Sequence, residues 1–466
     1  MMTNSVLQQF PISEKWSWRL FILVVLIIAG LAWPGSFYFL NDDHIHIPKA
    51  YDGTIGHHNG LRHISDLSLF LDSLLWKENA FGYHLTNLLL YIANMIMAVP
   101  VFQKLVAGLK VRIPKQVFII GSALFGLYAF HSEALFWILC RTASLSMFFN
   151  LLSFLCVLKQ TQNRLLQSGA ILFFLLGLFT YETLWLYPVW LVLWWWLLPD
   201  KKDLQPLQRQ TIIGIWALFI IYFPFRLWST GEALGSYEAA HVQAFHWGVL
   251  IENSYKLFFR SFLPPTSSDF IFKLASVGML AILCLVVLML IKRKVLNRFY
   301  LFIVSAWLSS YVLFISLGVS VKGFESERYL YYPSLWLCLF IVLALFHLVK
   351  SRALFVVLFA VVSLYHLFFM YKASAGFKKV SSYSKAGMST FQKVPLSKKI
   401  VIENLPVYSH GLPLYNYGFK NGIQWLCYGR DSNSVEVLST HHFAKEQIVS
   451  SVKEGALADT VIFSGK

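Results

Sequence analysis

Charge is what this sequence has least of. Only 13% of its 466 residues are Asp, Glu, Lys or Arg, against roughly a quarter in an ordinary soluble domain. With 57% hydrophobic residues and a mean hydropathy of +0.60, a soluble enzyme, a disordered chain and a disulfide scaffold are all excluded. Cysteine is scarce too. Of the five, Cys140, Cys156, Cys284 and Cys338 fall in apolar runs, and no C-x-x-C spacing occurs. Neither a disulfide framework nor a zinc pattern is expected, and the redox compartment stays open. No internal repeat, no low-complexity tract and no N-x-[ST] sequon is present. The missing sequon fits a bacterial inner membrane.

Long apolar runs are abundant, and so are aromatics: 16 Trp, 22 Tyr and 41 Phe, the residues of membrane interfaces and lipid-facing surface. Apolar stretches lie near 18–36, 84–103, 116–131, 134–158, 167–181, 183–199, 211–228, 271–291, 299–320, 329–348 and 353–371. Each is near the ~20 residues that cross a bilayer. The expected fold class is an all-α polytopic membrane protein with about eleven transmembrane helices. The first stretch lacks a small-residue cleavage site and reads as a retained anchor.

The net charge of +16 would suggest nucleic acid in a soluble chain. Here the positions of the charges decide, and no nucleic-acid partner is expected. With the N-terminus in the cytoplasm, every inner connection is basic: Lys15 and Arg19; Lys104, Lys110, Arg112 and Lys115; Lys159 and Arg164; Lys201, Lys202 and Arg209; Lys292, Arg293, Lys294 and Arg298; Lys350 and Arg352. That is the positive-inside pattern, and it puts the tail outside. The only inner acids are Glu14, Asp200 and Asp203, whereas Asp42, Asp43, Glu133, Glu182, Glu325 and Glu327 lie outside. The excess points to chemistry on the outer face, although longer outer loops also carry more of everything. The domains are therefore 1–371, a membrane unit with an outer loop at 37–83, and 372–466, a small extracytoplasmic α/β unit. Strand-like runs in the latter are Lys399–Glu403, Val435–Leu438 and Thr460–Phe463, with turns at Ser409–Pro413 and Lys420–Gly422.

The outer loop opens with Asn41-Asp42-Asp43, two carboxylates at the membrane boundary. Such a carboxylate can act as a general base toward a hydroxyl or hold a cation, whereas an isolated pair more often merely caps a loop. Ser65–Leu75 reads as an amphipathic helix lying in the interface plane, with Leu67, Phe70, Leu71, Leu74 and Leu75 on one face. Glu133, Trp137 and Arg141 are spaced to share a helix face, with Arg141 about two turns inside a span. An intramembrane Arg is a functional hypothesis by default, and its fork suits a phosphate; the alternative is an Arg reaching out to the interface. Glu182 tips the hairpin after span five. Glu327 and Arg328 enter span ten, where they can simply pair with each other. Arg260 is a second phosphate candidate. His44, His46, His57, His58 and His63 match no zinc spacing, so a divalent metal remains possible but unassigned.

Four segments together resemble a known family: Asn41-Asp42-Asp43; Ser65–Ser68 through Phe81–Leu90; His131–Arg141; and Glu327-Arg328-Tyr329-Leu330-Tyr331-Tyr332-Pro333. They are similar to polyprenyl-phosphate-sugar-dependent glycosyltransferases of the GT-C superfamily, above all to the membrane half of tetratricopeptide-type O-mannosyltransferases. A fainter echo lies at Asn404-Leu405-Pro406 and Asn421-Gly422. The resemblance implies an inverting hexosyltransferase with its site on the extracytoplasmic face. Asp42 or Asp43 would be the catalytic base, and Arg141, with Arg328 or Arg260, would neutralise the departing phosphate. Glu133, Glu182 and Glu327 would line the substrate site. The implied partners are a lipid-linked sugar donor, a hydroxyl acceptor of open class, and membrane lipid. The sequence departs from the family at Tyr181, where Lys is usual, and at Arg62-His63-Ile64, where Arg-Pro-Leu is usual; the repeats are absent. A lipid-linked-sugar flippase or a glycan polymerase or ligase are the alternatives; a flippase would be expected to show repeats and mid-span acids.

Overall fold

The computed structural model describes residues 10–55, 61–159, 162–232, 246–397, 399–403, 405–426, 435–438, 440–442, 450–454 and 460–465. His57 and His58 lie outside the described residues. The helices, in chain order, are α1 (Glu14–Leu31), α2 (Asp43–Tyr51), α3 (His63–Trp76), α4 (Ala80–Gly108), α5 (Lys115–Leu127), α6 (Glu133–Phe136), α7 (Arg141–Leu158), α8 (Arg164–Leu178), α9 (Tyr187–Leu197), α10 (Pro206–Thr230), α11 (Trp247–Arg260), α12 (Asp269–Lys292), α13 (Arg298–Ser309), α14 (Tyr331–Leu348), α15 (Arg352–Gln392) and α16 (Phe419–Leu426).

Each of the eleven apolar stretches contains a helix, and among the described residues seven helices are long and apolar enough to cross a membrane unaided. Five of the helices start where the sequence supplies a cap. Asn79, Asn163, Ser268, Asn297 and Ser351 each accept a backbone N–H of the first turn of α4, α8, α12, α13 and α15, which satisfies donors a helix leaves open. α12 exposes Phe270, Leu274, Val277, Leu285 and Leu288, as a lipid-facing helix must. α5 is the opposite case. Every residue from Val117 to Leu127 is buried, packed among α1, α4 and α14. Shielded from lipid by protein, it can stop short and hand over to an irregular turn.

That turn corrects one expectation. Residues 133–141 are not a continuous helix. α6 ends at Phe136, Trp137 is extended (φ −109°, ψ 127°), and Arg141 is the first residue of α7. Glu133, Trp137 and Arg141 therefore do not share a helix face, and Arg141 is not two turns inside a span. The opened backbone is satisfied from elsewhere: Asn87 Nδ2 donates to the carbonyl of Trp137 (2.9 Å), and the amide of Leu139 donates to Asp43 (3.2 Å). An apolar run hid the break because the missing helix bonds are replaced by long-range partners.

α3 forms where the amphipathic pattern predicts. It buries Asp66, Leu69, Asp72 and Ser73 and leaves Leu67, Leu71, Leu74 and Leu75 exposed, so its leucine face is turned outward, as in a helix lying in the headgroup plane. α15 runs unbroken through residue 371 to Gln392, 41 residues in all. At 1.5 Å per residue it is about 60 Å long, twice a bilayer core, so its second half stands clear of the membrane and carries the C-terminal segments. There, β1 (Lys399–Glu403) lies between and parallel to β4 (Val435–Val437) and β7 (Thr460–Gly465), and β6 (Ser450–Glu454) closes the far edge antiparallel to β7. A second small sheet joins β2 (Leu405–Ser409) to β3 (Leu412–Pro413) antiparallel and to β5 (Thr440–His442) parallel. The expected strands are present. The expected turn at Lys420–Gly422 is instead part of α16, which packs against α2.

Candidate active site

The chain leaves α1, passes a single 3-10 turn at Pro34–Ser36, and reaches Asn41 in the left-handed region (φ 48°). The bend lets α2 start at Asp43 and places two adjacent carboxylates in different surroundings. Asp43 is fully buried and both its oxygens are used: Oδ2 accepts the Leu40 amide (2.9 Å) and Oδ1 the Leu139 amide (3.2 Å). It ties the first outer loop to the break before α7. Burial, with Asp42 next door, pushes its carboxyl well above the usual range.

Asp42 is half-buried. Its Oδ1 is sealed from solvent and has no hydrogen-bond partner among the described residues. The buried Nε1 of Trp137 lies beside it, outside good hydrogen-bond geometry but close enough to favour the ionised carboxylate. Burial raises Asp42 to about 7; the nearby Arg328 cation opposes that rise and the Glu133 carboxylate adds to it. A carboxylate with an idle oxygen and a pKa near neutrality is suited to accept a proton.

Arg328 is held from below by Glu133. Glu133 Oε2 accepts both the Arg328 amide (3.1 Å) and its Nη1 (3.0 Å), while Oε1 accepts the Ser326 amide (3.1 Å). Ser326 is itself left-handed (φ 71°), the turn that presents both amides to one carboxylate. The Arg328 side chain keeps 19% of its surface exposed while Glu133 keeps none. Burial raises the Glu133 carboxyl, with Arg328 opposing it.

The remaining site residues are engaged elsewhere. Glu327 and Arg328 do not pair with each other. Glu327 points inward to Arg260 Nη2 (2.5 Å) and Ser132 Oγ (2.5 Å), and neither member of the Glu327–Arg260 pair is exposed. Arg260 also donates to the carbonyls of Ser320 and Leu263, so it braces the 320–327 loop. Arg141 is fully buried. It donates to Asn87 Oδ1 (2.9 Å), Ser68 Oγ (3.2 Å), Asp72 Oδ2 (2.6 Å) and the carbonyl of Tyr83 (2.7 Å), which locks α3 to α4 and α7. Glu182 accepts a two-pronged contact from Arg62 (3.2 and 2.9 Å) and a longer one from Arg226 (3.4 Å).

Geometry thus brings Asp42, Asp43, Glu133 and Arg328 together, sets Arg260 with Glu327 directly behind them, and gives Arg141 and Glu182 other partners. Sequence reasoning missed Asp72 and Asn87 as the groups that saturate Arg141, and Arg226 as a partner of Glu182. Arg226 had a readable signal, since it is an ionisable residue inside an apolar run. Asp72 had none, because on an amphipathic helix it looks like solvent-face polarity. Among the described residues no three His, Cys, Asp or Glu side chains converge as a metal-holding group. In the carboxylate cluster only Asp42 retains an oxygen not already hydrogen-bonded.

No family model matches the sequence, and no curated protein matches it at a meaningful level. Solved structures do resemble it. The oligosaccharyltransferase of Archaeoglobus fulgidus in its apo form superposes with a TM-score of 0.54 at 12% identity, over 92% of this chain and 65% of that one. The same enzyme tethered to an acceptor peptide with an NVT sequon gives 0.50 at 10% identity, over 92% and 64%. ArnT from Cupriavidus metallidurans bound to undecaprenyl phosphate gives 0.46 at 10% identity, over 91% and 90%. The chain shares the fold of this archaeal enzyme, an integral membrane architecture, and it spans just under two thirds of that enzyme's length.

Proposed function

We propose that the protein is an inverting glycosyltransferase that moves a sugar from a polyprenyl-phosphate carrier to a hydroxyl acceptor at the extracytoplasmic face. One observation carries the reading: Asp42, with a sealed and unpartnered oxygen, faces Arg328 at the end of a membrane span. The shared fold supports it, and so does the archaeal oligosaccharyltransferase, which has been solved tethered to an acceptor peptide.

In the reaction, Asp42 takes the proton of the acceptor hydroxyl as that oxygen bonds to the anomeric carbon, from the side opposite the carrier. The bond between the anomeric carbon and the carrier's phosphate oxygen breaks, and its electron pair leaves with polyprenyl phosphate. Arg328 neutralises the departing charge with its planar fork. A positioned base of this kind contributes about 10²–10⁴-fold. Asp43 and Glu133 touch no reacting atom in this scheme; they hold the base and the cation in place. Arg141, buried and fully hydrogen-bonded, acts as a structural clamp, and Arg328 takes the phosphate role that the sequence offered to both.

The same geometry supports the orientation. Lys115 pairs with Glu14 at 2.6 Å, Arg293 donates to the carbonyl of His347, and Lys201 lies near Arg298. The basic connections thus gather at one end of the bundle. Asp42, Glu133 and Arg328 gather at the other. Taking the basic end as cytoplasmic by the positive-inside rule, we read the N-terminus as inside and the C-terminal unit as outside, in a bacterial inner membrane. Sugar and acceptor, whether protein, glycolipid or envelope glycan, are chosen by surfaces beyond these residues.

The test is transfer by the purified protein from a panel of radiolabelled polyprenyl-phosphate sugars onto envelope extract. Label moving onto an acceptor in wild type but not in Asp42→Asn supports the reading. Equal transfer by both removes the proposed base. Labelled lipid that crosses a liposome bilayer without transfer would make the protein a flippase instead.

A further inference from the structure

The C-terminal unit touches the site from two directions. Its 411–422 segment meets the first outer loop at Asn41, whose amide donates to the carbonyl of Leu414 (2.9 Å) and whose Oδ1 accepts the amide of Tyr417 (2.7 Å). These bonds fix the left-handed residue immediately before Asp42. Two glycines let α16 approach α2 this closely. A Cβ at Gly422 would lie 2.7 Å from Nδ1 of His44, and one at Gly418 (φ 75°) would lie 2.5 Å from Ile45 Cγ1. Phe39, just upstream, rests against Trp425 with ring centroids 5.1 Å apart.

The same segment meets the second site loop. The amide of Phe324 donates to the carbonyl of Gly411 (3.3 Å), and a Cβ at Gly323 would lie 2.8 Å from that oxygen. Phe324 stands four residues before Arg328. The base loop and the cation loop are far apart in sequence, and this one strip of chain contacts both within a few residues of Asp42 and of Arg328.

We infer that the C-terminal unit is a clamp that sets Asp42 against Arg328, with Asn41 and Gly422 as positioning residues. The inference rests on the glycosyltransferase reading for its kinetic consequence, though not for its structural one. A base displaced by about 1 Å can lose about 10²-fold in rate. Loosening the clamp also admits water to Asp42. Its titratable and charged neighbours, Asp43, Glu133, Cys140 and Arg328, stay in place, so relief of burial dominates and the midpoint of its ionisation falls.

Two variants reach the contact from opposite sides. Asn41→Gly keeps the left-handed backbone and removes the acceptor for Tyr417; Gly422→Leu drives a side chain into His44. Each is expected to lower kcat by about 10–100-fold, to change donor KM by less than about threefold, and to move the midpoint of the pH–rate curve toward acid. Asn41→Asp retains the acceptor and adds negative charge, so it restores kcat on the alkaline plateau while moving the midpoint the other way. Hydrogen exchange gives a readout free of activity: Asn41→Gly, whose altered residue lies in the first loop, is expected to speed exchange in 323–328 as well as in 39–45. Unchanged exchange in 323–328 overturns the clamp. So do wild-type kcat and midpoint in both variants when Asp42→Asn is inactive, whereas a fully active Asp42→Asn would overturn the base assignment and leave the exchange result to decide the clamp.

Discussion

Two layers of the site use the same chemical groups to opposite ends. In the inner layer, Arg141 and Arg260 are wholly buried and hydrogen-bonded to carboxylates, carbonyls and an amide. In the outer layer, Arg328 keeps part of its surface open and Asp42 keeps an idle oxygen. The inner layer resembles a fold-locking network, in which every member is satisfied and removal of one strands the rest. The outer layer is incomplete without something else, and an incomplete buried polar group is where a ligand belongs. Adjacent residues divide along the same line: Asp43 has two amides, Asp42 has none from another residue.

The largest expected effect separates those neighbours. Asp42→Asn should cut transfer by about 10²–10⁴-fold with thermal unfolding unchanged or slightly later, since it removes a charge that burial penalises. Asp43→Asn should do the reverse, because an amide turns an NH₂ toward one of the two N–H groups that now meet oxygen. It should lower the unfolding temperature in detergent and reduce activity less than Asp42→Asn does, through loss of folded protein and a less firmly held base. Equal kinetic defects in two stably folded variants would erase the distinction. Next in size is the inner layer. Breaking a buried pair from one side costs about 3–5 kcal/mol, so Arg260→Met or Glu327→Gln should destabilise strongly. The double variant Arg260→Met with Glu327→Leu should recover much of that loss. A double variant as unstable as the singles would place the pair outside a simple charge-burial account.

How far the site could be read beforehand follows from the same division. Helix positions were legible because a span must be a long apolar run, and the capping Asn and Ser residues mark where five of the helices begin. Three of the tail's strands, β1, β4 and β7, were legible from their β-branched runs, and the other four were not. Asp42, Glu133 and Arg328 were legible as charges at the outer ends of spans and through the family resemblance their segments carry. Which charge answers which was not. Glu327 and Arg328 are adjacent in sequence, yet each pairs with a residue far from it in the chain, Arg260 and Glu133. The helix break at Trp137 was equally invisible, because its stabilisers, Asn87 and Asp43, act across long stretches of sequence. Arg141 looked functional for the sound reason that membranes do not tolerate idle arginines; in the structure its hydrogen bonds tie α3 to α4 and α7.

Third in size is Arg328 itself. Arg328→Ala removes a hydrogen-bonding cation worth about 1.5–3 kcal/mol, which is roughly 10- to 150-fold in kcat/KM. The loss should fall on kcat when the contact forms only with the departing phosphate. Arg328→Lys should recover part of it, because a point charge replaces a fork. A change in donor KM alone would assign Arg328 to ground-state binding and leave the leaving group without a cation.

The smallest effect is the shape of the pH–rate curve, and it bears most directly on why the outer layer is half-sealed. An exposed aspartate ionises near pH 4, so a base of that kind would be fully active across the neutral range. Burial raises Asp42 to about 7, so its proton-accepting form is lost as pH falls through 7. The rate should then drop tenfold for each further unit of acid. Stability should move in the opposite sense. Between about pH 4 and 7 the folded chain holds a proton on Asp42 that the unfolded chain has released, so this residue favours the fold increasingly as pH falls across that window. Rate and stability therefore diverge on acidification, and Asp42→Asn should abolish this residue's share of the stability trend. A rate limb near pH 4, with no divergence, would mean that Asp42 is well hydrated in the working enzyme and that its sealed oxygen has no part in the chemistry.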